Sequence, residues 1–274
     1  MGILNVTPDS FSDGGRYATR QAAVDRAMQM IAEGASVIDI GAESTRPGSQ
    51  PVSASEQIKR AVPVIEQIRV ANAMVPLSID TRSACVARSA LQAGADMVND
   101  VSALRDDPEM LAVVAQSDVP VVLMHRRGDS ATMQANGGPQ YDDVVSEVID
   151  FFGERRDAAV RGGVSPINIL LDPGIGFGKR VEHNLLILRH LRQFFALGHP
   201  LVVGASRKSF IGSISGVEEP SCRVAGSVAC AVIAAVAGFQ AADASLVLRV
   251  HDVAETVEAV RMVAAVAVAK RSRT

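Results

Sequence analysis

Short apolar runs and helix-patterned stretches alternate eight times along this chain, and that alternation restricts the fold more than any single motif does. The apolar runs are GILNV, SVIDI, PLSID, MVND, VPVVLM, INILLD, PLVVGA and SLVLRV. Each is short and almost wholly apolar, the pattern of a strand buried on both faces of a parallel sheet. Between them lie TRQAAVDRAMQMIAEGA, SASEQIKRAVPVIEQI, RSACVARSALQAGA, DPEMLAVVAQS, YDDVVSEVIDFFGERRDAAVRGG, EHNLLILRHLRQF, a helix around residues 222–238, and VAETVEAVRMVAAVAVA. Gly34-Ala35 and Gly94-Ala95 read as helix C-caps that feed the next strand. Ser53 and Glu56 form a cap-like pair, and Pro63 predicts a kink in the helix they open. Eight strand-helix units favour a closed (β/α)8 TIM barrel with its active site at the C-terminal face of the parallel strands. An open doubly wound sheet would want a glycine-rich phosphate turn after strand 1, and NVTPDSFSDGG contains no G-x-G-x-x-G.

The chain has 274 residues, which one barrel spanning 1–274 uses up. A net charge of −3 leaves no electrostatic footprint for nucleic acid or an anionic membrane surface. The first residues lack the basic and extended apolar regions of a signal peptide. VAGSVACAVIAAVAGF, residues 224–239, is short for a membrane span and reads as a buried helix. Cys85, Cys222 and Cys230 are odd in number and show no metal spacing, so reduced thiols in a cytoplasmic protein are expected.

The polar residues at the strand ends carry the chemistry. In order they are Asn5; Asp39, followed by Glu43, Thr45 and Arg46; Asp80; Asn99; Met124 and His125; Asp172; Ser206, Arg207, Lys208 and Ser209; and Arg249 with His251. Each has an ordinary explanation alone. A strand-ending Asp caps the next helix, a lone His is a core or surface residue, and loop Arg and Lys are solvated. On a barrel they converge on one mouth. There Asp80, Asn99 and Asp172 would face Lys208, Arg249 and His251. A carboxylate accepts paired hydrogen bonds from a flat N–H/NH2 edge, and Arg and protonated His suit phosphate. Such a mouth fits a polar heterocycle joined to a phosphate group. Asn5 could hold Mg2+ if phosphate oxygens and water complete the shell. No zinc cluster and no nucleophile elbow are present.

Eight motifs in order, MGILNVTPDSFSDGG, GAESTRPG, SIDT, VND, LMH, LLDPGIGFGK, SRKSFIG and RVHDV, resemble those of the dihydropteroate synthases of folate biosynthesis, from Met1 to about Val253. The resemblance implies a TIM-barrel homodimer that joins p-aminobenzoate to 6-hydroxymethyl-7,8-dihydropterin pyrophosphate. Dihydropteroate and pyrophosphate are released, Mg2+ assists, and sulfonamides compete. It places the pterin against Asp80, Asn99, Met124, Asp172, Phe177, Lys208 and Arg249. The pyrophosphate falls to Asn5 through Mg2+, with Thr45, Arg46, Arg249 and His251. The aminobenzoate falls to Phe11, Thr45, Arg46, Pro47, Phe177, Lys208 and Ser209. Asp80, Asp172, Lys208 and Arg249 are the expected catalytic groups. An aniline is a weak nucleophile, so an SN1-like departure of pyrophosphate is expected, with an associative path as the alternative.

The loop after strand 1 would close with loop 2 over the pyrophosphate. Family members usually carry a segment ahead of the first motif, so the floor of the barrel is expected to be less covered here. The stretch before SLVLRV lacks a Gly-Ala turn, which leaves that strand's start open. A pterin-binding methyltransferase domain and a non-catalytic pterin-binding paralogue are the competing readings.

Overall fold

The structure is a computed structural model that describes residues 1–6, 15–43, 51–128, 139–241 and 244–269. Eight parallel strands follow one another in a single sheet, β1 (Gly2–Asn5), β2 (Ile38–Gly41), β3 (Leu77–Asp80), β4 (Met97–Asp100), β5 (Val121–Met124), β6 (Ile169–Asp172), β7 (Leu201–Val203) and β8 (Leu246–Leu248). The sheet closes on itself. Just beyond β8, Val250 bridges Gly2 in parallel, with Ile3 N donating to Val250 O (2.9 Å) and Val250 N donating to Met1 O (3.0 Å). The barrel expected from the alternation is therefore the observed fold.

Ten helices are described around it. They are α1 (Gly15–Ala32), α2 (Ala54–Ala71), α3 (Ala84–Gln92), α4 (Met110–Ser117), α5 (Val144–Arg161), α6 (Val181–Arg189), α7 (Leu191–Phe195), α8 (Ser209–Ser215), α9 (Val224–Phe239) and α10 (Val253–Val268). Side chains alternate across each strand. One set, including Leu4, Ile38, Ile40, Leu77, Ile79 and Val98, packs outward in the large core. The other set fills the lumen. Met97, Val122 and Val202 form a separate apolar plug with Val37, Leu170 and Val247. Two residues further along the same strands come Asp39, Asn99, Met124, Asp172 and Arg249, so the polar layer rests on an apolar floor.

The register levels that layer. Asn5 pairs with Gly41, Gly41 with Asp80, and Asp80 with Asn99, while Met124 pairs with Asp172.

Several local expectations are met. Ser53 Oγ accepts from Glu56 N at 3.3 Å, and Gly34 and Gly94 adopt positive φ after their helices. Helix α2 continues through Pro63. Other expectations are corrected. EHNLLILRHLRQF is two helices, because His190 N bonds back to the carbonyls of Leu186 and Ile187 and caps α6. Helix α8, which begins within SRKSFIG, was not expected at all. Among the described residues no helix is long and apolar enough to cross a membrane. All three cysteines are unpaired.

The β6–α6 segment lies directly against the start of the β5–α5 connection. Gly174 has φ +65°, and a Cβ there would be driven into the carbonyl oxygen of His125. Gly178 has φ +60° and backs in the same way onto Arg127 O. A side chain at 174 combines left-handed strain with a backbone clash. Gly174→Ala should therefore cost about 3 kcal/mol or more of stability, read by chemical denaturation. A cost below about 1 kcal/mol would contradict this packing.

Candidate active site

The centre of the mouth is a cluster around Arg249. This residue follows β8, where its backbone N donates to Val203 O at 3.0 Å. Its Nε donates to Asp39 Oδ2 and its Nη2 to Asp80 Oδ2, both at 2.6 Å. Asn99 Nδ2 donates to the same Asp39 oxygen at 3.0 Å. Asp39 is fully buried in the lumen. Burial pushes the Asp80 carboxyl up to about 7, Arg249 pulls it down, and Asp39 adds to the rise. Burial would weaken the charge on Arg249, but its two carboxylates overcome that and hold the guanidinium protonated. A guanidinium suits this position because it keeps its charge and bonds two acids at once.

Across the mouth stand Asp172, Lys208 and Phe177. Asp172 is buried, and its Oδ1 accepts from Gly174 N at 2.7 Å. Burial raises its pKa, and Lys208 is the first group to oppose that. Lys208 is the N-cap residue of α8 and donates to Ile175 O, with Nζ 4.3 Å from the centre of the Phe177 ring. Its stem crosses Gly176, where a Cβ would stand 2.9 Å from Lys208 Cδ. Burial lowers the amine to about 8 against the pull of Asp172. Met124 is buried beside this group in the register of Asp172.

Behind them is a residue that strand-end reasoning missed. Lys179 is buried, and its Nζ reaches His125 Nδ1 (2.8 Å), Gly174 O (3.0 Å), Phe177 O (3.2 Å) and His125 O (3.4 Å). Burial and the adjoining Lys179 push His125 down to about 2, so its ring is neutral and Nδ1 accepts from Lys179. Lys179 thus ties the segment carrying Asp172 and Phe177 to the end of β5. The signal was present in LLDPGIGFGK, whose last residue it is.

On the other side, His251 N donates to Ser206 Oγ (3.2 Å), and Oγ stands 3.0 Å from His251 Nδ1. The hydroxyl and the ring thereby fix each other's position. Arg26 Nη2 holds the His251 carbonyl at 3.0 Å. Arg207 turns away from the mouth. Its φ is 60°, its backbone N donates to Ser227 Oγ (2.8 Å), and its guanidinium pairs with Asp252. Ser209 is exposed in the first turn of α8. Phe11, Thr45, Arg46 and Pro47 lie outside the described residues.

Asn5 makes no side-chain hydrogen bond among the described residues, and it shares the level of Asp80. Among those residues no group of three His, Cys, Asp or Glu could hold a metal ion. One amide oxygen suits a Mg2+ ion that takes its remaining ligands from substrate phosphate and water. The mouth as a whole presents acids for an N–H-rich ring, an ammonium beside an aromatic face, and a fixed imidazole and guanidinium for an anion.

A barrel with such a mouth defines the class of pterin binding enzymes, and the family model of that description matches residues 1–251. A dihydropteroate synthase of Synechocystis is 49% identical over 253 residues, which is 92% of this chain and 84% of that protein. The Xanthomonas albilineans dihydropteroate synthase with 4-aminobenzoic acid superposes with a TM-score of 0.89 at 47% identity, covering 98% of this chain and 93% of that one. The same enzyme in complex with 7,8-dihydropteroate gives 0.86 at 46%, covering 98% and 94%. A Yersinia pestis dihydropteroate synthase with a sulfonamide drug complex gives 0.89 at 45%, again covering 98% and 94%. The chain belongs to the dihydropteroate synthase family.

The lowered pKa of Lys208 has a measurable sign. The amine is charged below about 8 in the folded chain, whereas in the unfolded chain it keeps its proton to its ordinary, higher value. Burying that charge therefore costs stability at neutral pH, and the cost lifts as pH rises above 8. Pulse acylation with acetic anhydride, read peptide by peptide, should give Lys208 a half-maximal rate near pH 8. A midpoint at the ordinary lysine value would contradict the burial.

Proposed function

We propose that this chain condenses 6-hydroxymethyl-7,8-dihydropterin pyrophosphate with p-aminobenzoate to give 7,8-dihydropteroate and pyrophosphate. The observation that carries the reading is the facing pair of clusters in the mouth, Asp39–Arg249–Asp80 with Asn99 on one side and Asp172–Lys208 on the other. The relatives bound to 4-aminobenzoic acid and to 7,8-dihydropteroate support it.

Asp172 and Asn99 take the N–H and amide edge of the pterin, and Lys208 donates to its ring carbonyl. Met124 and Phe177 cover the ring. The methylene C–O bond breaks with its electron pair leaving on pyrophosphate. The aniline nitrogen then forms the new C–N bond and gives up its proton to water. Asp80 and Asp172 stabilise the positive charge that grows on the pterin, and Arg249 and His251 stabilise the charge on the leaving group. Arg249 reaches that task from its pairing with two acids, so it is oriented before substrate arrives. Mg2+, held through Asn5, would neutralise part of the pyrophosphate charge. The path is SN1-like, since the protein builds charge stabilisation at both ends and offers no nucleophile of its own. Thr45, Arg46, Pro47, Phe11 and Ser209 complete the aminobenzoate site, which sulfonamides occupy in competition.

The protein works in the cytoplasm as a homodimer. Helices α9 and α10 pack together and expose Ile233, Val236, Met262 and Val266, an apolar face suited to a second copy. Val236→Glu with Met262→Glu should shift the species from dimer to monomer in analytical ultracentrifugation. An unchanged sedimentation coefficient would place the interface elsewhere.

Purified protein with both substrates should form dihydropteroate and pyrophosphate in equal amounts, and EDTA should stop both. Asp172→Asn should raise the pterin dissociation constant about tenfold or more, because the acid loses its paired acceptance. Arg249→Ala should lower kcat about a hundredfold or more with a smaller change in KM. Near-normal turnover in both variants would defeat these assignments.

A further inference from the structure

A second cavity, ≈ 470 Å³, opens beside the mouth between the β4–α4 connection, the β5–α5 connection and the first turns of α5. Arg105, Arg126 and Arg127 line it, together with Asp106, Glu147 and Phe151. Neither Asp80, Asp172, Lys208 nor Arg249 belongs to its wall.

The charges in this wall do not balance. Asp106 is taken by Arg126 and, at 2.9 Å, by Arg82 from the β3–α3 connection. Glu147 is taken by Arg127, which also lies over the Tyr141 ring. Arg105 has no carboxylate partner among the described residues. Its Nε donates to Ser102 O (2.9 Å) and its Nη2 to Arg126 O (3.4 Å), and it lies 4.9 Å over the Phe151 ring. Burial and the nearby Arg126 and Arg155 make its charge harder to hold. Arg126 is the more telling residue. Its side chain is only 9% exposed, yet Nε and Nη1 have no hydrogen-bond partner. Buried guanidinium donors are costly to leave unpaired.

We propose that this cavity is an oxyanion site that takes a phosphate group through Arg105, Arg126 and Arg127. Guanidinium forks match phosphate oxygens in geometry and charge, and both acids in the wall are already committed to arginines. The volume leaves room for a small organic body on the phosphate, with Phe151 as its apolar wall. An anion here also bears on the main mouth. It competes with Asp106 for Arg126, and Asp106 holds Arg82, whose Nη2 pairs with Glu43 at 3.1 Å. Glu43 in turn accepts from Val52 N at 3.1 Å, so this chain of charges ends on both flanks of residues 44–51.

Isothermal titration with inorganic phosphate at low ionic strength tests the site, using the wild type, Arg105→Met, Arg126→Met and His251→Ala. The wild type should show two binding events. Each arginine variant should weaken one of them at least tenfold, Arg105→Met with kcat unchanged, and His251→Ala should weaken the other. Phenyl phosphate in the same titration separates the sources, binding more tightly than phosphate if the site takes a phosphomonoester and less tightly if it takes the free ion. Should Arg126→Met lose its cooperative melt, Arg105→Met carries the test, since Arg105 donates to backbone carbonyls alone. Phosphate binding unchanged in both arginine variants, or abolished by His251→Ala, overturns the proposal.

Discussion

Everything in the mouth depends on one buried cation shared by two acids. Arg249 stands 210 residues from Asp39 and 169 from Asp80 in sequence, yet bonds both at 2.6 Å. Charges taken out of water are expensive, and removing one partner of a buried pair typically costs about 3–5 kcal/mol. The arrangement persists because the three side chains come from strands that the barrel forces to face one another, and because Asn99 adds a hydrogen bond to Asp39. The apolar plug beneath them keeps the attraction strong by excluding solvent from below.

The second rigid unit is the segment from Asp172 to Lys179. Gly174 and Gly178 leave out side chains where its backbone lies on that of residues 125–127. Lys179 then collects carbonyls from both segments at one nitrogen. The result is that Asp172 and Phe177 are set by strand β6 and by an internal cross-link, and Lys208 by the start of α8. Three groups gathered on one side of the mouth are held by three independent devices. Burial acts on both charges of this cluster, raising the pKa of Asp172 and lowering that of Lys208 to about 8, and each group opposes the other's shift.

Much of this was legible in the sequence. The eight alternations pointed to a closed barrel, and a place at the strand ends was enough to send Asp80, Asn99, Asp172 and Arg249 to one mouth. Strand-end reasoning works in a barrel because the end of every strand is the same place. It fails for residues whose role lies past the strand end. Arg207 sits among the expected site residues but turns away, because a left-handed backbone and Ser227 redirect it. Lys179 hides in a glycine-rich stretch where no periodicity applies. The chain of charges from Arg126 to Glu43 draws on four separate connections, and no local spacing announces it. The break at His190 and the short helix α8 are decided by capping bonds that a hydrophobic pattern does not encode.

The seam between the last strand and the first has a consequence for how the molecule is assembled. Val250 and Arg249 are among the last barrel residues to leave the ribosome, while Asp39 and Asp80 are among the earliest. Until Arg249 is made, the cation that Asp39 and Asp80 share is missing, and until Val250 is made, so is the bridge to Gly2. Two adjacent residues therefore carry both the charge that completes the mouth and the contact that closes the barrel.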